Sequence, residues 1–288
     1  LDLEMSFVDQ DDVLNLIEEL YTALVKSECS GKKLITPFPK ITYAEAMEKY
    51  ASDKPDLRFG LEMGDVSDIA AETKFRIFTD SISNGGIVKG FVIPDGGNYP
   101  RKLLDELVAF VKERGAKGLL WIAFDGDSGE LSDITIDQVK SPIARHASLE
   151  QIRSFGQRLG AGGKDLVLMV AGPSKSTNVA LSALRNEMAA RLDLADPNLL
   201  AFAFVIDFPL FEWNDDESRW DAAHHAFSMP KAGYEKYVED DPGKVIGNIY
   251  DLVCNGLELA SGSIRVHKRA LQEQILKVLG YNQEQIKD

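Results

Sequence analysis

Residues 248–266 read NIYDLVCNGLELASGSIRV, and this stretch contains the clearest pattern of the chain. Two strand-like runs, 249–254 and 257–259, are joined by Asn255-Gly256, a dipeptide that favours a tight hairpin turn. Along both runs carboxylates alternate with apolar residues, which is typical of an antiparallel strand with one packed face and one open face. The stretch therefore predicts an antiparallel hairpin within a half-buried sheet.

The charged residues of this stretch indicate a polar ligand on the open face. Asp251 and Glu258 fall in the two paired runs, so the hairpin would bring two carboxylates close together. Two adjacent carboxylates repel each other unless a cation neutralises them, and Mg²⁺ bound together with a phosphate is the usual cation. We expect a bend at 260–263 and then a third strand at 264–266, where Arg265 would offer a guanidinium to a carboxylate or phosphate. On spacing alone, a solvated sheet face with cross-strand ion pairs is the alternative.

The composition narrows the class of protein. The chain has 288 residues and 44% hydrophobic content, which is enough to bury a large core in more than one lobe. No apolar run approaches the roughly 20 residues that span a bilayer, and the two cysteines, Cys29 and Cys254, are too few for a disulfide framework. We therefore expect no membrane segment and a cytoplasmic location. The net charge of −14 disfavours a general nucleic-acid-binding module.

Beside these patterns, the residues YDLV and GLELASGSIRVH resemble the stretch just upstream of motif 3 in bacterial-type aspartyl-tRNA synthetases, which are class II enzymes. The resemblance recurs in further segments, namely LDLEMSFV at 1–8, PDLRFG at 55–60, VIDFPLFEW at 205–213 and WDAAHHAFSMP at 220–230. It covers essentially the whole chain, from the end of motif 2 to just before motif 3. The resemblance therefore implies a fragment of such an enzyme that is inactive, or nearly so, by itself.

The same resemblance implies an α+β fold in which an incomplete class II synthetase antiparallel sheet, with flanking helices, is interrupted by an inserted α/β domain. We expect the catalytic domain at 1–62 and 196–288 and the insert at 63–195. This insert is of the GAD type, which the aspartyl enzymes share with the B subunit of the tRNA-dependent amidotransferase. Within it, the sequence pattern predicts strands at 75–82, 86–93, 119–124 and 165–171 and helices at 101–114, 152–159 and 177–192.

The flanking segments carry predictions of their own. Apolar residues at helical spacing predict helices at 11–28, 43–50 and 267–279. Asp11 or Asp12 should cap the first of these helices and Thr42 the second. The alternation at 1–8 predicts a strand with one polar face, and the apolar run at 199–213 predicts a buried central strand.

By resemblance, the substrate pocket takes its polar groups from both ends of the chain. Asp2 matches the carboxylate that receives the α-ammonium group of aspartate. Arg265 matches the arginine that pairs with the aspartate side chain, and Ser263 is its neighbour in the pocket. Asp251 and Glu258 match the carboxylates that bind ATP and Mg²⁺. No catalytic nucleophile is expected, because in-line attack of the substrate carboxylate on the α-phosphorus needs only positioning and charge neutralisation.

His224 and His225 form an adjacent pair. Without a third ligand at metal spacing they make a weak zinc site, and one packed and one solvated histidine is the plain alternative. The run resembles the family's HHPF-type loop, with Ala226 in place of the commoner proline. The resemblance implies that both histidines close over the aspartyl substrate or the adenylate.

The function that the resemblance implies is that of an aspartate–tRNA ligase. Such an enzyme joins L-aspartate to ATP as an adenylate and then to tRNA, with Mg²⁺ bound beside the nucleotide, and the family implies a homodimeric parent. The alternative from another class is a non-catalytic, tRNA-amidotransferase-like accessory or binding module, which would share the insert but would not need Arg265 or the other flanking site residues. An asparaginyl-specific relative is disfavoured, because such enzymes lack the large insertion.

Overall fold

The computed structural model describes residues 1–126 and 129–287, which form two compact units. The first unit comprises Leu1–Ala46, Asp53–Arg58 and the segment from Asp196 onward. The second unit comprises Met47–Ser52 and Phe59–Ala195. Each unit is therefore assembled from segments that are not contiguous in the sequence.

The elements are numbered in chain order. The α-helices are α1 (Gln10–Glu28), α2 (Tyr43–Tyr50), α3 (Ser67–Ala71), α4 (Arg76–Ser83), α5 (Arg101–Lys112), α6 (Leu149–Leu159), α7 (Ser174–Arg191), α8 (Arg269–Val278) and α9 (Gln283–Lys287). The β-strands are β1 (Lys33–Leu34), β2 (Lys40–Thr42), β3 (Gly64–Asp65), β4 (Ile87–Ile93), β5 (Leu120–Phe124), β6 (Val139–Lys140), β7 (Leu166–Gly172), β8 (Leu199–Leu200), β9 (Phe202–Ile206), β10 (Phe211–Asn214), β11 (Arg219–Ala222), β12 (Ile249–Cys254) and β13 (Leu257–Ser263). None of the helices in the described part of the chain has the length and apolar character needed to cross a bilayer.

The main sheet of the first unit has four strands in the order β13-β12-β9-β2. Strand β12 pairs antiparallel with β13 and with β9, whereas β2 pairs parallel with β9. Successive side chains of a strand point to opposite faces. Tyr250, Leu252 and Cys254 therefore share one face, where they pack in an apolar cluster with Leu14 of α1. Asp251 lies on the other face.

The predicted hairpin is confirmed, but its second strand is longer than expected. Asn255 and Gly256 both have positive φ, +52° and +85°, as the two-residue turns that match strand twist require. The small residues at 260–263 pair with β12 instead of bending, so the predicted bend is wrong. The predicted third strand at 264–266 is also wrong, because Arg265 makes an isolated bridge with Ser228 and no strand forms there.

The strand predicted at 1–8 is absent as well. A strand needs a hydrogen-bonded neighbour, and no strand in the described residues pairs with this segment, which is largely exposed. The helix that follows starts at Gln10, and its cap is Asp9 in place of the predicted Asp11 or Asp12. The predicted cap of α2 is confirmed, since the Thr42 hydroxyl accepts the Glu45 N–H at 3.1 Å.

The second unit is built on a five-stranded antiparallel sheet in the order β3-β4-β7-β5-β6. One face packs against α5 and α7 and the other against α3, α4 and α6, in two separate apolar clusters. Most elements predicted for this region are confirmed within a few residues. The strand predicted at 75–82 is wrong: it is helix α4, because Phe75, Phe78 and Ile82 recur at helical spacing and all pack on the second cluster.

A buried arginine joins the two segments of the second unit. Arg185 of α7 is 2% exposed and donates hydrogen bonds to the carbonyl oxygens of Phe59, Gly60 and Leu61. Its guanidinium also lies over the rings of Phe59 and Tyr50, at 4.3 and 4.7 Å from their centroids. The cation thus replaces its lost hydration with carbonyl oxygens and aromatic faces.

Candidate functional site

Asp251 and Glu258 lie on the same face of the β12–β13 hairpin. Glu258 pairs with Val253, which is two residues from Asp251 on the neighbouring strand. Directly opposed residues share a face, and residues two apart on a strand share it too. The structure thus places both carboxylates on the face that turns away from the α1 cluster.

A β-bulge decides which residues of β13 join them. The register shifts by one residue between Leu252 and Val253, so that Leu259 has no partner on β12. As a result Ser261 lies opposite Asp251, and Ser263 lies opposite Ile249. An unbulged two-residue hairpin would have placed alanine and glycine at these positions. The bulge therefore turns two hydroxyl groups toward the carboxylates.

Asp251 is a buried carboxylate that the protein leaves incompletely satisfied. It is 1% exposed, and its Oδ1 atom has no hydrogen-bond partner among the described residues. Burial raises the pKa of Asp251 to about 6. A hydrogen bond from Ser261 and the nearby His224 lower this pKa, whereas the negative charges of Glu258 and Asp53 raise it further. A buried oxygen without a partner calls for a ligand, and a cation would satisfy it.

Glu258 already has a cationic partner. The Lys54 ammonium lies 2.7 Å from its Oε2 atom, and this hydrogen bond raises the pKa of Lys54. Lys54 is carried by a short loop that the Arg58 guanidinium fixes through a two-pronged contact with Asp56, at 2.6 to 3.2 Å. Asp56 is itself 7% exposed, so the loop is anchored in the unit and Lys54 is placed by it.

These two carboxylates fit one mode of Mg²⁺ binding. No group of three or more potential ligands for a metal ion occurs within residues 1–126 and 129–287. Mg²⁺ is commonly held by one or two carboxylates together with the phosphates of a bound nucleotide, and needs no all-protein cage. The orphaned Oδ1 of Asp251 and the solvent-accessible carboxylate of Glu258 suit that arrangement.

Arg265 follows β13 directly and places a cation beside Ser263, the last residue of that strand. Its Nη1 donates to the Ser263 hydroxyl at 2.6 Å, and its guanidinium lies 4.6 Å from the centroid of the Phe227 ring. Ser263 also contacts the hydroxyl of Ser228, which is fully buried, at 3.0 Å. In the part of the chain that the structure describes, no carboxylate forms an ion pair with Arg265.

The two histidines have different neighbours. His224 packs edge-on against Phe208 at 5.0 Å, and its Nδ1 lies 3.5 Å from the Ser261 hydroxyl. His225 stacks on Phe227 at 4.9 Å with an angle of 10° between the rings. The pKa of His225 is lowered by burial and by the nearby Arg265 and His224. The pair therefore spans the site from the Asp251 end to the Arg265 end.

Asp2 makes no hydrogen bond or ion pair with the other proposed pocket residues in the described part of the chain. It is exposed and lies in the strand-free segment 1–8. Conversely, the sequence pattern missed Lys54, Ser261 and Phe227. Only Ser261, in the SGS run next to the predicted pocket, carried a local signal.

A cavity of about 500 Å³ lies elsewhere, within the second unit. Its walls are mainly apolar and include Phe75, Phe78, Leu119 and Met169. None of the predicted site residues lines it. Because the chemistry expected here needs carboxylates and cations, we place the candidate site on the hairpin face and not in this cavity.

Comparison with known proteins identifies the family of the chain. The family model described as tRNA synthetases class II (D, K and N) matches residues 1–288. The aspartate–tRNA(Asp/Asn) ligase of Dehalococcoides mccartyi (strain ATCC BAA-2266 / KCTC 15142 / 195) is 46% identical over 286 residues, which are 99% of this chain and 48% of that protein.

Two further relatives give the same picture. The aspartate–tRNA(Asp/Asn) ligase of Natranaerobius thermophilus is 42% identical over 288 residues, 100% of this chain and 47% of that protein. The aspartate–tRNA ligase of Clostridium perfringens (strain 13 / Type A) is 44% identical over 285 residues, 99% of this chain and 46% of that protein. The chain thus spans about half the length of the curated relatives it matches. The mixed fold with antiparallel sheets agrees with a family match over every residue, and the chain belongs to the class II tRNA synthetases of the D, K and N type.

Proposed function

We propose that this chain is part of an aspartate–tRNA ligase and contributes to the site where L-aspartate is activated by ATP before transfer to tRNA. The observation that carries the proposal is Arg265, whose guanidinium is held by Ser263 and Phe227 and forms no ion pair in the described residues. A cation oriented in this way is suited to a carboxylate of the ligand. Asparagine would leave that charge unpaired, and such a loss gives strong discrimination.

In this proposal the residues of the chain bind and orient, and none of them attacks the substrate. Arg265 binds the side-chain carboxylate of aspartate, Ser263 orients Arg265, and Asp2 receives the α-ammonium group. His224 and His225 close over the substrate and exclude water. The substrate carboxylate itself attacks the α-phosphorus, so that positioning supplies much of the rate.

Asp251 and Glu258 would hold Mg²⁺ together with ATP. The metal ion would neutralise negative charge on the phosphates during the displacement. The buried Oδ1 of Asp251 supports this assignment, because it is otherwise without a partner among the described residues. The Lys54 ammonium, 2.7 Å from Glu258, shows that this carboxylate already attracts a cation.

We also propose the larger organisation from this family membership. Residues 1–62 and 196–288 would form the catalytic domain and 63–195 the inserted GAD-type domain. The compact second unit, Met47–Ser52 and Phe59–Ala195, supports this division except for the short segments before residue 63. The partners would be tRNA and a second copy of the full-length enzyme, in the cytoplasm. The accessory-module alternative is not favoured, because the relatives described above are named as ligases.

The test is aspartate-dependent exchange of pyrophosphate into ATP. We suggest a chimera in which this chain replaces the aligned segment of the Dehalococcoides mccartyi ligase, which is 46% identical to it. Exchange with L-aspartate but not with L-asparagine, strongly reduced but still measurable in Arg265→Ala, is expected. The matched control is Arg269→Ala, which removes an exposed arginine paired with Glu273 at 2.8 Å. Exchange that does not depend on aspartate, or that ignores Arg265, would overturn the proposal.

A further inference from the structure

Phe227 contacts two planar groups of the candidate site. The His225 imidazole stacks on its ring at 4.9 Å and 10°, and the Arg265 guanidinium lies 4.6 Å from its centroid. Phe227 is 46% exposed, so its ring is not packed in an apolar core. Apolar burial therefore does not account for this aromatic residue, whereas its contact with Arg265 does.

Backbone hydrogen bonds hold the two residues in a constant relation. The Val266 N–H donates to the Phe227 carbonyl at 2.9 Å, and the Met229 N–H donates to the Ile264 carbonyl at 2.8 Å. Between these bonds, Ser228 and Arg265 form an isolated antiparallel bridge. Because the backbones are fixed, the remaining freedom at this point belongs to the long Arg265 side chain.

That freedom is restricted on two sides. The Phe227 ring covers the guanidinium, and the Ser263 hydroxyl accepts its Nη1 hydrogen bond at 2.6 Å. Burial and the neighbouring Arg265 lower the pKa of His225, which favours a neutral imidazole stacked on the Phe227 ring. The stack then carries a single positive charge, and cation–π attraction keeps that charge over Phe227.

We propose that Phe227 is a positioning residue that orients the Arg265 guanidinium toward the substrate carboxylate. This inference rests on the proposed function, in which Arg265 binds aspartate. Phe227 acts through Arg265 and does not itself touch the substrate. An arginine oriented before binding loses less conformational freedom when the carboxylate arrives, so Phe227 contributes to aspartate affinity.

The experiment compares Phe227→Leu with Phe227→Tyr in the chimera described above. Leucine keeps an apolar side chain but removes the aromatic face, and we expect the KM for aspartate to rise about tenfold, a factor typical of a lost cation–π contact. The KM for ATP and kcat should change less than about twofold, since the change acts on substrate orientation. Phe227→Tyr keeps the aromatic face and should keep the low KM for aspartate.

Two further measurements test whether Phe227 acts specifically on aspartate binding and whether it does so through Arg265. Trp213→Leu removes a similarly exposed aromatic residue, 49% exposed, whose ring contacts Trp220, and should leave the KM for aspartate unchanged. In an Arg265→Ala background, Phe227→Leu should have no additional effect on aspartate kinetics, because the residue acts through Arg265.

Equal rises of the two KM values, an unchanged KM for aspartate, or additive effects of the two substitutions would overturn the inference and leave the proposed function standing. Absence of aspartate-dependent exchange in the unsubstituted chimera would overturn both.

Discussion

Asp251 lies directly opposite Ser261 in the β12–β13 hairpin because Leu259 occupies a bulge and has no partner of its own. One extra residue on β13 thus moves Ser261 and Ser263, and not Ala260 and Gly262, to the face that carries the carboxylates. Bulges re-aim side chains in this way, often beside active sites.

Deletion of Leu259 and Ala260 together should therefore disrupt the candidate site more than the fold. With Val253 still opposite Glu258, the shortened hairpin would place Gly262 opposite Asp251, and the hydroxyl groups would leave the site. We expect pyrophosphate exchange by the chimera to fall at least about a hundredfold, a loss comparable with that from a misplaced catalytic geometry. Circular dichroism should still show a folded protein.

The matched control for the deletion is Leu259→Ala, which keeps the residue count. The Leu259 side chain is 42% exposed, and its backbone carbonyl keeps the hydrogen bond from the Tyr21 hydroxyl at 3.3 Å. Activity close to that of the unsubstituted chimera is expected. Equal losses in the two variants would show that the side chain matters and the register does not.

Asp251→Asn should stabilise the metal-free chain at neutral pH. The folded-state pKa of Asp251, about 6, lies above its ordinary value of 3.8, so the folded state binds more protons than the unfolded state between these pH values. Stability from this group is therefore present below about pH 4 and is lost as pH rises through 6, by up to about 3 kcal/mol.

The measurement is the free energy of unfolding in urea, with chelator present, at pH 4 and pH 7. Asp251→Asn should exceed the unsubstituted chain at pH 7 by on the order of 1 to 3 kcal/mol, and the difference should disappear near pH 4. Asp240→Asn, a substitution of an exposed aspartate in the same unit, is the control. A difference that grows toward acidic pH would contradict the assignment of the burial effect to Asp251.

The two cysteines should differ sharply in reactivity toward a thiol reagent at pH 8. Cys29 is exposed, whereas Cys254 is buried in β12 and burial raises its pKa to about 11. Because the thiolate is the reactive form, one equivalent should react quickly and the second only after unfolding. Cys29→Ser should abolish the fast reaction, and two fast equivalents would argue against the burial of β12.

Arg185→Met should destabilise the second unit strongly. The substitution leaves the carbonyl oxygens of Phe59, Gly60 and Leu61 without this donor, and we expect a loss of about 2 to 5 kcal/mol, measured by thermal denaturation. Arg191→Met, on the same helix, removes ion pairs with Glu187 and Glu106 and should cost less than about 1 kcal/mol. Similar losses would mean that burial of Arg185 is not what distinguishes it.

Much of the fold was predictable wherever a local pattern agreed with the tertiary environment. Asn255-Gly256 specified its turn because both positions need positive φ. The failures have a common cause. At 75–82 an apolar pattern was compatible with strand or helix, and packing decided for α4; at 1–8 alternation could not reveal that no described strand pairs with it.

The candidate site was predictable only in part for a related reason. The sequence predicted close approach of Asp251 and Glu258, because a two-residue turn fixes the facing of nearby residues. It did not predict that Lys54 contacts Glu258, since that contact joins distant segments and depends on the loop that Asp56 and Arg58 hold. The bulge at Leu259 was not predictable either, because the residues around it are the same types that occur in a regular strand. The roles assigned to these residues stay predictions.

The second unit is built from two chain segments, and this has a consequence for expressing or recombining it separately. Its buried Lys89 ammonium donates at 2.6 Å to the carbonyl of Met47, and its Arg185 guanidinium covers Tyr50, yet both acceptors precede the sequence boundary at 63. A separately expressed second unit would therefore need the last turn of α2 joined in front of Phe59. Recombination at a single crossover after α2 would transplant the sheet but separate Lys89 from the Met47 carbonyl that it binds and Arg185 from the Tyr50 ring.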